Sequence, residues 1–231
     1  MDEDDIIIAE PQEIAALKEF YETNALTEDW WTFLGPTAVD AAPSVVARSG
    51  HITELSSIGG VCNLEPLAAL TALEKLKIDH SPIDDLGPLA NLTKLTSLTL
   101  FISPRDLSPL AGLTNLTHLE LRSDYLDCIH DLSPLAGLSR LTSLDLSGNW
   151  IKDLNPLANL TALTTLNLSY NRVSDLEPLA HLVNLERLFL DKNPLVDLAP
   201  LLRLPRLRDL SVSPKPGLDL APLHEIWNRR Q

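Results

Sequence analysis

The chain has 231 residues, a formal net charge of −14, and 45% hydrophobic residues with only 5% aromatic. No run approaches the roughly 18 apolar residues of a membrane-spanning helix, and the acidity disfavours nucleic acid or anionic lipid as a partner. Cys62 and Cys128 are the only cysteines and lie far apart, which suggests neither a disulfide framework nor a clustered metal site.

The N-terminus reads Met1-Asp2-Glu3-Asp4-Asp5 and then Ile6-Ile7-Ile8. A secretory signal has a basic start and a longer apolar run, so a cytoplasmic location is expected. Residues 11–24 place Ile14, Leu17, Phe20 and Tyr21 at helical spacing behind Pro11, predicting a helix. Trp30, Trp31, Phe33 and Leu34 follow, either as an exposed recognition patch or as a plug over the unit that comes next. The plug is the simpler reading, because a stacked array must cover its terminal apolar face. Residues 1–49 are therefore expected to form an N-terminal helical and aromatic cap.

From residue 50 to 226 one pattern repeats. A Leu-x-Pro-Leu tetrad begins at Leu64, Leu86, Leu107, Leu132, Leu154, Leu176, Leu198 and Leu220, with spacings of 22, 21, 25, 22, 22, 22 and 22. A fixed period of this length is the mark of a solenoid. In the fullest unit, Leu144 and Leu146 alternate with Ser143, Asp145 and Ser147, which predicts a short strand buried on one face. Asn149, Asn171 and Asn193 follow in three successive units and are expected to stack as a polar ladder where the chain turns out of the strand. Pro156 bars the next segment from a central strand. Asp153 is placed to cap a short helical turn, and Asp85, Asp106, Asp131, Asp175, Asp197 and Asp219 recur at the same point. Much of the acidity is thus assigned to scaffold.

The unit Leu-Thr-x-Leu-x-Leu-x-x-Asn-x-Ile-x-Asp-Leu-x-Pro-Leu-Ala-x-Leu resembles the 22-residue class of bacterial leucine-rich repeats found in internalins. That class is similar to the repeats of a eukaryotic phosphatase regulatory subunit. The resemblance covers roughly residues 50–226, about eight units. It implies an α/β leucine-rich repeat solenoid, a right-handed arc with a parallel β-sheet on the concave face and short 3₁₀ turns on the convex face. It also implies protein binding on the concave face. The stretch from Ala16 through the tryptophans to Gly50-His51-Ile52-Thr53-Glu54-Leu55 resembles the N-terminal cap of some bacterial repeat proteins.

Two spacings break the rhythm. The turn after Leu100 is one residue short, with irregular residues 101–106, and the turn after Leu121 carries three extra residues within 122–130. Irregular loops on a regular scaffold are either functional or unconstrained. At the C-terminus, Leu220 to Ile226 completes a convex turn, and Trp227 is expected to shield the last layer together with the tail, residues 227–231.

The strand positions facing away from the leucines form the candidate surface. From them and the adjoining rim, the residues expected to meet a partner are Lys75, Lys77, Phe101, His118, Glu120, Arg122, Tyr125, Asp145, Trp150, Tyr170, Arg172, Arg187, Phe189 and Asp191. Eight strands spaced as in an ordinary sheet give a strip about 35 Å long, the scale of a standard protein interface. Phe101 and Phe189 are apolar rings with no core to fill, and with the nearby Arg, Tyr and Trp residues they have the composition of interface hot spots.

Other chemistry finds little support. No Gly-rich phosphate loop, His-Glu-x-x-His helix or Gly-x-Ser-x-Gly elbow is present. Cys128 and His130 sit beside the repeat Asp131 and read as surface loop, and the cluster His118, Glu120, Ser143 and Asp145 lacks an oxyanion donor. Lys75 with Lys77, and Arg203, Arg206 and Arg208, are small basic patches without an aromatic stacking platform. The expected protein is a non-catalytic binding module, with no cofactor or metal, no nucleic acid or membrane partner, and monomeric when free. Its role would be that of a regulator, inhibitor or toxin-neutralising protein; the alternative is an exported adhesion or effector protein of internalin type, with an enzyme third.

Overall fold

The computed structural model describes residues 9–24, 44–58, 60–79, 83–101, 104, 106–123 and 129–228. They form one nine-stranded sheet whose spatial order is the chain order. The chain begins with helix α1 (Pro11–Thr23), then β1 (Ser44–Arg48) and β2 (His51–Ile58). The strands β3 (Lys75–Asp79), β4 (Ser97–Phe101), β5 (His118–Arg122), β6 (Ser143–Asp145), β7 (Thr165–Asn167), β8 (Arg187–Phe189) and β9 (Asp209–Ser211) follow. Each of β2 to β8 is joined to the next by a 3₁₀ turn that starts at the repeat's x-Pro-Leu. The last turn is an α-helix, α2 (Ala221–Asn228).

The sheet is parallel from β2 to β9, as the repeat predicts. Leu55, Leu76, Leu98, Leu119, Leu144, Leu166, Leu188 and Leu210 stand in one register column. The spacings of 21 and 25 residues leave that column unbroken, so both irregularities are absorbed in the turns. All but the last of these leucines are buried, and they join the leucines of the 3₁₀ turns in one continuous core. No single layer could bury them; the neighbouring layers do. Truncating any one to Ala in such a stack costs about 2–5 kcal/mol.

Between the leucine layers run two hydrogen-bond ladders that satisfy the backbone. Asn171 donates from Nδ2 to the carbonyls of Leu146 (2.8 Å) and Leu168 (3.0 Å), and its Oδ1 accepts from the Ile151 N–H at 3.0 Å. Asn149 and Asn193 repeat this geometry one layer before and after. At the strand entries, the hydroxyl and N–H of Thr117, Thr142 and Thr164 both donate to the carbonyl of the residue at the same position one layer earlier. Thr96 does the same onto the Glu74 carbonyl.

The recurrent aspartates work differently from the expected helix caps. The residue at the head of each 3₁₀ turn is a leucine, and the aspartate before it accepts from the N–H two residues on. Asp153 Oδ1 takes the Asn155 N–H at 2.9 Å, and the six other aspartates do likewise. This is an Asx turn, which fixes the bend into the 3₁₀ segment instead of capping it. In the first unit Asn63 takes that role for the Glu65 N–H.

The ends depart further from expectation. α1 forms, with Phe20 buried and Leu17 and Tyr21 packed against the core as expected, but Ile14 is 45% exposed and Glu13 and Ala16 face inward beside them. The helix is rotated because the Glu13 carboxylate accepts the Ile52 N–H at 2.8 Å and pairs with His51 at 3.2 Å, tying α1 to β2. Asn24 continues the tie by accepting from the N–H groups of Cys62 and Asn63. β1, absent from the repeat pattern, pairs antiparallel with β2 and closes that edge. At the other end Ile226 is buried, whereas Trp227 is 65% exposed and does not shield the last layer. The aromatic cluster at 30–34 lies outside the described residues.

The ladder makes a direct prediction. Asn171→Ala removes three buried hydrogen bonds and leaves the Ile151 N–H without its acceptor, and is expected to lower unfolding stability in urea by about 3 kcal/mol. Asn184→Ala removes one exposed bond to Thr161 and should change it by less than about 0.5 kcal/mol.

Candidate functional site

Because the register is constant, the residues between the buried leucines align in columns across the concave face. One column runs Glu54, Lys75, Ser97, His118, Ser143, Thr165, Arg187 and Asp209. A second runs Ser56, Lys77, Thr99, Glu120, Asp145, Asn167, Phe189 and Ser211 over the same strands. Phe101 and Arg122 stand side by side in a third.

At the centre the structure joins four of the predicted residues into one network. Arg122 pairs with Glu120 at 2.7 Å and with Asp145 at 3.0 Å, and its guanidinium lies 5.4 Å from the centre of the Phe101 ring. Asp145 also accepts from the Asn167 amide at 2.9 Å and, through Oδ1, from the Ser147 N–H. Arg122 is thereby held in one orientation by groups on three strands. Beside this network the sheet curves around a depression of about 400 Å³ lined in part by Thr99, His118, Glu120, Asp145, Asn167 and Phe189. Phe189 is half-buried there.

The other predicted residues occupy separate places. Lys75 meets Glu54 together with Arg48, the latter supplied by the unforeseen strand β1, and Lys77 pairs with Asp79 at 3.1 Å. Arg187 donates to the Thr165 hydroxyl at 3.1 Å. Asp191 accepts from the hydroxyls of Ser211 and Ser213. On the ascending rim, Arg172 stacks 3.9 Å from the centre of the Trp150 ring, with Trp150 45% and Tyr170 49% exposed. Tyr125 lies outside the described residues. So do most of the irregular loop residues.

Burial shapes the electrostatics of the centre. Desolvation lifts the Glu120 carboxyl above the ordinary glutamate range, with Asp145 and Asp79 adding repulsion and Arg122 and Lys77 opposing it. At the entries to the 3₁₀ turns, Asp106 and Asp131 are held below the usual carboxylate range by hydrogen bonds from Ser108 and Ser133.

His118, Glu120, Ser143 and Asp145 do border one depression. The two carboxylates are held by Arg122 and the His118 ring pairs with the Thr117 hydroxyl at 2.8 Å. This arrangement offers fixed charge and an aromatic surface. Among the described residues no cluster of His, Cys, Asp and Glu is arranged to hold a metal ion, and no helix is long and apolar enough to cross a membrane.

Comparison with known proteins adds an independent line. Residues 139–181 match the model of paired leucine-rich repeats. Among solved structures the chain is similar to internalin C2 (inlC2) of Listeria monocytogenes, with 39% identity over 77% of this chain and 78% of that one, at a TM-score of 0.68. It is also similar to the internalin inlF of the same organism, with 34% identity over 77% of this chain and a TM-score of 0.68. There it spans only 55% of the other chain. No curated protein matches.

The raised Glu120 carboxyl gives a signed expectation. A carboxyl raised by folding opposes the fold once ionised, so its contribution is favourable at acid pH and is lost as pH rises through the raised value. Glu120→Gln should therefore stabilise the chain at neutral pH, and the gain should vanish below the ordinary glutamate range. Urea unfolding of both proteins across that range measures it.

Proposed function

We propose that this chain, which belongs to the internalin-like bacterial leucine-rich repeat proteins, binds a folded protein partner on its concave face. The observation that carries the reading is the central network. Phe101, Arg122, Glu120, Asp145 and Asn167 come from four consecutive strands and are fixed against one another before any partner arrives. Pre-organised aromatic and arginine side chains around a depression are what a hot spot consists of, because little side-chain entropy is left to lose on binding.

The depression is broad and lined by side chains from several strands, with Phe189 opposite the charged network. That suits a protuberance of a protein surface better than a reacting small molecule. A partner bound there meets ion pairs already made, so specificity would come from matching Arg122 and the two rings. The chain spans about half of one internalin it matches, and the role assigned here is that of a compact binding module, whether regulator, inhibitor or toxin-neutralising protein. The cytoplasmic setting is part of the same proposal. The exported alternative is favoured by the internalin likeness itself, and fractionation of the source cells separates the two.

The test uses a quadruple variant, Phe101→Ala, Arg122→Ala, Trp150→Ala and Phe189→Ala. Wild type immobilised in native lysate should retain a protein, identified by mass spectrometry, that the variant loses. The unfolding midpoint should stay within about 4 °C, since none of the four side chains is in the core. Equal retention by the variant would show that the concave face is not the binding surface.

A further inference from the structure

Left-handed backbone is unfavourable for any residue with a Cβ, and the ascending rim holds two such residues. Gly148, Tyr170 and Lys192 occupy the same position in three successive repeats, with φ of 77°, 58° and 58°. Glycine is required at 148, where a Cβ would stand 2.4 Å from the Ser123 carbonyl oxygen. At 170 and 192 glycine would also adopt this backbone with less strain. The backbone conformation itself therefore gives no reason for a tyrosine and a lysine there. Strain of this kind points to a use for the side chain.

Both side chains are exposed, and beside them Trp150 is stacked on Arg172. The stack fixes ring and guanidinium together, which lowers the entropy lost when either meets a partner.

Charge indicates what that partner carries. On the N-terminal half of the face the cations are already neutralised: Arg48 and Lys75 by Glu54, Lys77 by Asp79, and Arg122 by Glu120 and Asp145. Among the described residues, no carboxylate lies within ion-pair distance of Arg172 or Lys192. The adjoining Asp191 is engaged by Ser211 and Ser213. Two open cations beside two exposed rings complement carboxylates placed next to an apolar side chain. Two cations on a chain of net charge −14 are too few to hold a polyanion such as nucleic acid.

We infer that Trp150, Tyr170, Arg172 and Lys192 form a rim platform for an acidic segment of the protein partner. The segment's carboxylates meet Arg172 and Lys192, and an apolar side chain lies against the two rings. This rests on the protein-binding reading above and adds the chemistry of what is bound.

The probe is a set of synthetic peptides of equal length, each with one leucine and one tyrosine, the remaining positions being acidic, neutral or basic. Fluorescence polarisation should show wild type binding the acidic peptides at least about tenfold more tightly than the neutral ones. The reversal Arg172→Glu with Lys192→Glu should abolish that preference. The pair Tyr170→Gly with Lys192→Gly should weaken acidic-peptide binding about tenfold while raising the unfolding midpoint by about 2–4 °C. A midpoint that does not rise removes the strain premise. Failure of wild type to prefer acidic peptides, or survival of the preference in the charge reversal, overturns the platform. If the preference survives there but is lost in Phe101→Ala with Phe189→Ala, the rim assignment falls and the concave-face reading stands.

Discussion

A stack of leucine layers can exist only if the backbone entering and leaving each strand finds hydrogen bonds inside an apolar interior. The asparagine ladder meets that requirement. Each of Asn149, Asn171 and Asn193 uses its full amide to bond groups in its own and adjoining layers. An amide donates two hydrogens while its oxygen accepts, so it can link layers where a hydroxyl, with one hydrogen, or an ionised carboxylate, with none, could not make all three bonds. The threonine series does the simpler half of this work at the strand entries. Without these bonds the buried carbonyls would oppose the same stacking that buries the leucines.

The constant register follows, and with it the binding face. Because the buried column never slips, each concave position is filled by one residue per layer, and neighbours on the face come from residues about 22 apart in the chain. Arg122 reaches Asp145 and Asp145 reaches Asn167 for that reason alone. The face is therefore composed almost independently of the core, one side chain at a time.

This separation also explains what could be read from the sequence. Period and alternation sufficed for the strands, the short helical turns after them, the asparagine ladder and the solvent-facing columns, since each depends on local pattern repeated many times. The ends did not obey the period. The rotation of α1 is set by the Glu13 carboxylate reaching the Ile52 N–H, a contact between residues 39 apart that no helical spacing announces. β1 has no repeat to belong to, and Trp227 was judged by its apolarity when Ile226 already filled the space. The strained backbone at Tyr170 and Lys192 was invisible for a related reason. Only Gly148 in the first of the three layers hints at it, and the two residues that follow are not the types that usually adopt it.

The Asx turns carry a further consequence. Seven aspartates recur at the same point of successive repeats, each bonded to the backbone two residues on. Asp131 already adds repulsion at Asp106. A file of like charges along one side of a stiff rod favours splaying of that side, and dissolved ions relieve it by screening. The curvature of the arc should accordingly tighten or relax with ionic strength, making the fit of the concave face to its partner sensitive to the salinity of the surroundings even where no charged group touches that partner.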